Sequence, residues 1–179
     1  ADIRVEATAG SITDAGDASG EDVEAVNAQL VAGTFIGEPD GVGGTPIETD
    51  LEVLAADANG GSMYISDSED LIVGTVGPIV VDRIGMDSST TEQEGVTLVG
   101  AIATESVKIE AASDLTTTSL VDAVGNDVLL DAIGGDLTLS ALVNAADDIS
   151  LLAQSNIVQN VDGDVTAQGG SVDAEASVG

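Results

Sequence analysis

The chain has no cysteine, no histidine and no tryptophan, and only one phenylalanine and one tyrosine in 179 residues. Without Cys and His there is no disulfide framework, no zinc site of the usual ligand types and no Ser-His or Cys-His nucleophilic pair. Basic residues are almost as scarce: Arg4, Arg83 and Lys108 are all there are. Nucleic acid is therefore not an expected partner, because binding it needs clustered cations, and single strands also need aromatic platforms to stack on. Long apolar runs are missing too. The longest uncharged one, Leu71 to Val81, is 11 residues and contains Gly74, Gly77 and Pro78. A membrane-spanning helix needs about 18 or more. Ala1 is followed at once by Asp2 and Arg4, which is not the pattern of a secretory leader.

What is present is aliphatic and acidic. Asp and Glu number 33 against three bases, for a formal net charge of -30, yet 43 % of the chain is hydrophobic and the mean hydropathy is +0.28. Disordered polyanions combine high charge with low hydrophobicity. This composition instead implies a folded body with a Val, Ile, Leu and Ala interior beneath a carboxylate surface.

A short pattern recurs: Asp, aliphatic, any residue, aliphatic. It appears at Asp2-Ile3-Arg4-Val5, Asp22-Val23-Glu24-Ala25, Asp50-Leu51-Glu52-Val53 and Asp70-Leu71-Ile72-Val73. It returns at Asp127-Val128-Leu129-Leu130, Asp136-Leu137-Thr138-Leu139, Asp148-Ile149-Ser150-Leu151 and Asp164-Val165-Thr166-Ala167. Gly or Ser replaces the Asp before Val96, Val107 and Val172. Alternation of this kind is the two-residue period of a half-buried strand. The copies recur at intervals of 20 or 21 residues, as from Asp50 to Asp70 and from Asp127 to Asp148. A second aliphatic position often follows nine residues behind the first, as Ile12 follows Ile3. A strand pattern with a period in this range is the signature of a solenoid. The expected fold is all-β: one parallel β-helix solenoid over residues 1–179, with 20–21 residues per coil and about eight coils. Val5, Val53, Val73, Ile109, Leu130, Leu139 and Leu151 are expected inside, and Arg4, Glu52, Lys108, Thr138 and Ser150 outside.

Two longer intervals predict loop excursions from the coil, near residues 33–48 and 85–94, where Gly, Pro and polar residues gather. Residues 3–10 also align with 172–179 at an offset of 169, with three identities in eight. On that alignment the segment is one unit of a longer tandem array. About eight coils at roughly 4.8 Å would then place about 0.7 negative charge on each ångström of axis, comparable to duplex DNA.

The Asp before each strand reads first as an Asx-turn that sets a corner through a neighbouring N–H. Asp57-Ala58-Asn59-Gly60 and Asp162-Gly163-Asp164 are fragments of calcium loops that lack the closing Glu of the EF-hand, and Gly41–Gly44 lacks the Asp of glycine-rich calcium repeats. Carboxylates on successive coils repel one another. Cations that suit all-oxygen ligands, calcium or magnesium, are the expected structural partners, with Asp148 and Asp164 as candidate metal-ligating residues. No catalytic residue is expected. Acid pairs for cleaving sugars abound, but Phe35 and Tyr64 are the only aromatic platforms and neither has an evident acid pair in the sequence.

The segments Gly134-Gly135-Asp136-Leu137-Thr138-Leu139-Ser140-Ala141, Asp148-Ile149-Ser150-Leu151-Leu152-Ala153 and Gly169-Gly170-Ser171-Val172-Asp173-Ala174-Glu175-Ala176 resemble the repeats of giant bacterial exoproteins of the filamentous-haemagglutinin type. The resemblance implies a right-handed parallel β-helix displayed at the bacterial cell surface, as an adhesin or a biofilm-matrix fibre. The chain is far more acidic than that family, as salt-adapted surfaces are, and no functional residues carry over because the repeats are scaffold. The expected role is a structural or adhesive extracellular fibre. Its expected partners are further copies of itself, end to end or in lateral bundles, and divalent cations. A surface glycan-binding or polysaccharide-cleaving β-helix module is the alternative.

Overall fold

The computed structural model describes residues 1–14, 20–38, 45–84 and 86–177, and among them there is no helix. The chain is a parallel β-solenoid of about seven turns with about 23 residues per turn. Its three faces are built from short strands, each hydrogen-bonded to its counterpart one coil on. The first face stacks Met63–Asp67, Val107–Ala111, Val128–Ala132, Ile149–Ala153 and Val172–Ala176. The second stacks Leu71–Val73, Leu115–Thr117, Leu137–Leu139 and Ile157–Gln159. The third stacks Ala101–Ala103, Val121–Ala123, Val143–Ala145 and Val165–Ala167. Three longer strands, Asp2–Ala7, Val23–Ala32 and Ile47–Ala58, form the amino-terminal coils.

The strands from Ala101–Ala103 to Ile149–Ala153 have an inside–outside–inside burial pattern because alternate side chains point to opposite faces of a strand. The interior is a continuous stack of Leu, Ile, Val and Ala: Ile65, Ile109 and Leu130 follow one another on one face, and Leu71, Leu115 and Leu137 on the next. Small alanines close the third face, with Ala58, Ala103, Ala123 and Ala145 in register. Such a narrow core has little use for rings, which accounts for the missing aromatics.

The coils are longer and fewer than the sequence period implies. From Val107 onward equivalent positions lie 20 to 23 residues apart; the first two coils take 25 or 26, and 18 or 19 residues carry Ile47 to Ile65 and Val53 to Ile72. Of the seven residues expected inside, Val53 is the exception. Leu51 and Leu54 both point inward, so alternation slips between them and Val53 packs on the outside of the wall. The eight-residue alignment at offset 169 joins strands of different faces. Val5 continues the third face, through Leu30 and Ala56, whereas Val172 continues the first, through Ile149; Val178 and Gly179 lie outside the described residues.

The first expected excursion sits between Ile36 and Ile47, which stack side by side on Met63 and Ile65. Within it, the Gly41–Gly44 cluster lies outside the described residues. The second is much larger than residues 85–94. Leu71 and Leu115 are neighbours on the second face although 44 residues separate them, because 75–99 leave the coil as a hairpin. Its stem pairs Thr75 with Val99 and Val76 with Leu98, and its outer ribbon pairs Val81–Ile84 with Thr90–Gln93. The Val96–Leu98 copy of the repeat therefore belongs to the hairpin and to no coil. Gly100, at φ +73°, turns the chain back into the wall, where a Cβ would come within 2.0 Å of the Leu120 carbonyl oxygen. Only glycine fits both that backbone and that approach.

Candidate functional site

The recurrent Asp residues stand at the solenoid corners, but their bonds are not local. At the corner before the second face, Asp70 Oδ1 accepts the Asp114 N–H at 3.0 Å, Asp114 Oδ1 accepts the Asp136 N–H at 2.7 Å, and Asp136 Oδ1 accepts the Asn156 N–H at 2.9 Å. At the corner before the first face, Asp127 Oδ1 accepts the Asp148 N–H at 3.0 Å and Asp148 Oδ1 accepts the Ser171 N–H at 2.7 Å. The Asx-turn reading is thus corrected. Each carboxylate caps the equivalent residue one coil away, where the turn leaves a backbone donor outside the strand ladder. Every one of these bonds uses Oδ1, and the carboxylates lie one coil apart on the surface.

Asp148 is fully exposed, and the Ser171 N–H and hydroxyl hold its carboxyl below the ordinary range. Asp164 begins the third face, where its carbonyl accepts the Val143 N–H at 2.8 Å. The two candidate metal-ligating residues therefore stand at different corners, and the structure does not bring them together. The calcium-loop fragments form corners as well. Asn59 donates its backbone N–H to the Ala32 carbonyl, and Gly163 donates to the Asn160 carbonyl.

Carboxylate oxygens from Asp14, Asp22 and Glu48 lie within 4.8 Å of one another, a gathering of acids that their sequence separation hides. Burial, and then a hydrogen bond to Asp22, raise the Glu48 carboxyl above its ordinary value. Asp67 is the most deeply placed acid in the wall. It occupies an inward position that Ala111 and Ala132 fill in the next coils. Its carboxylate accepts from Thr49 Oγ1 at 2.7 Å and from the Leu51 and Glu69 N–H groups at 3.1 Å, while burial drives its pKa up.

The lone tyrosine does have acidic company. Tyr64 OH donates to Glu110 Oε2 at 3.0 Å, and Lys108 Nζ lies 3.1 Å from Glu110 Oε1 and 4.0 Å from the Tyr64 ring centre. Asp131, the next coil's counterpart of Glu110, is raised by burial and by the Glu110 charge. Arg4 pairs with Glu6 at 2.9 Å; the side chain of Arg83 lies outside the described residues. The open grooves have acidic linings. One, of about 500 Å³, is walled by Glu24, Asp50, Glu52, Glu69 and Asp70 without a basic side chain.

One outward polar side chain is completely buried. Gln29 lies in register with Arg4 and Ala55, and the hairpin covers it. Its Nε2 donates to the carbonyls of Val76, Gly77 and Val96 at 2.7–3.0 Å, and its Oε1 accepts from Arg4 Nη1 at 2.6 Å. Ala55, Val76 and Ile79, with Val53 and Leu98, form a small second core between hairpin and wall. Comparison with known protein families, characterised proteins and solved structures gives no match.

Proposed function

We propose that the chain is a structural unit of a polyanionic extracellular filament, an adhesive or matrix fibre at a bacterial surface in which cations condense along the solenoid axis. The observation that supports it best is the corner ladder. The acids are built into the repeat as coil-to-coil links, so their charge recurs from coil to coil at these corners, through Asp70, Asp114 and Asp136 and through Asp127 and Asp148. Seven coils at about 4.8 Å span roughly 34 Å, and a net charge of -30 over that length approaches one charge per ångström. Neighbouring acids lie well inside the screening length of about 8 Å at physiological salt. Cations lower that repulsion, and divalent ions also bridge neighbouring filaments; calcium and magnesium suit the all-oxygen ligands on offer.

This reading makes no use of catalysis. The test is thermal unfolding at neutral pH across sodium chloride and calcium chloride series, with electron microscopy of the same samples. The melting temperature is expected to climb in both, with calcium acting at far lower concentration, and filaments are expected in calcium. A melting temperature flat in both salts, with no filaments, would overturn the proposal.

A further inference from the structure

The first and last described coils leave the interior uncovered. One column of in-register residues on each face runs from one to the other. It goes from Ile3 to Gln159 on the second face, from Val5 to Val165 on the third and from Ile12 to Val172 on the first. Inward residues of the middle coils are buried, whereas Ile3, Val5 and Ile12 at one end and Ile157 and Val165 at the other are only partly so. Val172, in register with the buried Ile149, is 48 % exposed.

The backbone edges of the two ends are complementary. The Val143 N–H donates to the Asp164 carbonyl at 2.8 Å and the Gln168 N–H to the Ala145 carbonyl at 3.0 Å. In a parallel ladder that leaves the N–H and C=O groups of Val165 and Ala167 on the open side. At the other end the Gly33 N–H donates to the Ala7 carbonyl at 2.8 Å, so Arg4 and Glu6 present theirs. A second copy set on the Val165 coil therefore continues the ladder. The Val165 N–H meets the Arg4 carbonyl as the Val143 N–H meets that of Asp164.

The charges match at the same point. Arg4, one of three bases in the chain, stands in the edge row in register with Gln29 and Ala55. Asp164, exposed and one residue before Val165, takes the corresponding place at the opposite end. Among the described residues nothing pairs with the Asp164 carboxylate. Arg4 has three of its five N–H donors on Glu6 and Gln29, which leaves two. Stacking brings the two residues to one strand spacing, about 4.8 Å.

We infer that the two uncovered ends are docking surfaces for a second copy of this chain, stacked head to tail with Val5 on Val165, Ile12 on Val172 and an Arg4–Asp164 ion pair across the joint. Such a contact is heterologous, so it propagates into an open filament rather than closing a dimer. Open strand edges alone pair with many partners. The ion pair selects the register, because a slip of one residue turns Val5 outward and parts Arg4 from Asp164. The inference rests on the filament reading and specifies its joint.

Asp164→Lys separates the joint from bulk charge. It lowers the net negative charge by two, which by itself favours association of a chain at -30; at the joint it sets like charges face to face. Self-association in sedimentation, in the calcium buffer of the filament test, is expected to fall at least fivefold with the circular dichroism spectrum unchanged. Adding Arg4→Asp is expected to restore it. Register is read separately with cysteine pairs, since the chain has no native cysteine. Glu6 and Thr166 end one outward column, so stacking brings them within the span of a disulfide. Glu6→Cys mixed with Thr166→Cys is expected to give at least tenfold more mixed disulfide than Glu6→Cys mixed with Asp173→Cys, an exposed outward position on another face. If the double charge variant loses its strand spectrum, Asp164→Lys alone and the disulfide pair decide. Filaments seen by microscopy with disulfide no better than the control, or with Asp164→Lys associating as well as the wild type, would overturn the joint and leave the filament reading standing. A protein monomeric in every buffer would overturn both.

Discussion

A single buried amide decides whether the hairpin lies on the wall. Gln29 Nε2 serves three carbonyls and its Oε1 anchors Arg4. Gln29→Leu keeps most of the volume and removes every one of these bonds. Buried acceptors without donors cost about 1–3 kcal/mol each, less where water can reach them. The stem is expected to open locally, read as a rise of at least tenfold in amide exchange over residues 75–99 while the carboxy-terminal coils keep their protection. Thr117 makes the opposite case. Its hydroxyl is fully buried on the second face, between Val73 and Leu139, and has no partner. Thr117→Val removes that oxygen at nearly constant volume, so the protein is expected to gain about 1 kcal/mol, a rise of roughly 2–4 °C in calorimetry. At the corner ladder, Asp136→Asn retains the Oδ1 acceptor for Asn156 and sheds a charge, whereas Asp136→Ala loses the bond. At low salt the Asn variant is expected to melt above the wild type and the Ala variant about 1 kcal/mol below it.

At the scale of elements, the coils and the hairpin differ in what holds them and in how legible they are in the sequence. Residues 127–177 read as coils because copies at Asp127, Asp136, Asp148, Asp164 and Ser171 mark five of their strands, whereas Val143–Ala145 and Ile157–Gln159 carry no copy. The hairpin misleads for two reasons. Leu71 to Val81 continues as an aliphatic run across Gly74, where the chain leaves the wall, and Gly95-Val96-Thr97-Leu98 repeats the alternation of a coil strand. Both stem strands need apolar residues because they pack on a wall, which gives them the pattern of the wall itself. Val53 misleads for the same reason: its outer face is covered by the hairpin, so outward and apolar coincide. The ladder partners of each Asp were illegible because they lie a whole coil away in the chain. The Tyr64–Lys108–Glu110 group was illegible too, since 44 residues separate Tyr64 from its register partner Lys108. The hairpin is nonetheless expected to be dispensable to the coil. Gly100 N–H donates to the Gly74 carbonyl at 2.8 Å, so its two ends nearly meet. Joining Gly74 directly to Gly100 is expected to leave the strand spectrum intact and the melting temperature lower by only a few degrees. Loss of the strand signal would show that the hairpin helps to build the wall.

For the whole molecule, pH separates burial from repulsion as sources of strain. Burial is the first cause of the raised carboxyl groups at Glu48, Asp57, Asp67 and Asp131. The lowered ones, Asp87 and Asp148, are held by serine donors at fully exposed sites. A group raised on folding binds its proton more readily in the native state, so stability grows as pH falls through its folded value towards the ordinary carboxyl range. A lowered group stabilises above the ordinary range, and that contribution is lost as pH drops through its folded value. With four raised groups in the wall against two at the open surface, the melting temperature is expected to rise on acidification from pH 7 to about pH 4.5. It is expected to fall at lower pH, once serine-held carboxylates such as Asp148 are protonated. Salt then tells the causes apart. Desolvation is indifferent to ionic strength, whereas repulsion between exposed charges is largely screened at 1 M. The acid stabilisation is therefore expected to shrink in 1 M sodium chloride to the part that burial supplies. If it vanished there, long-range repulsion along the solenoid, and not the burial of these four groups, would be what protonation relieves.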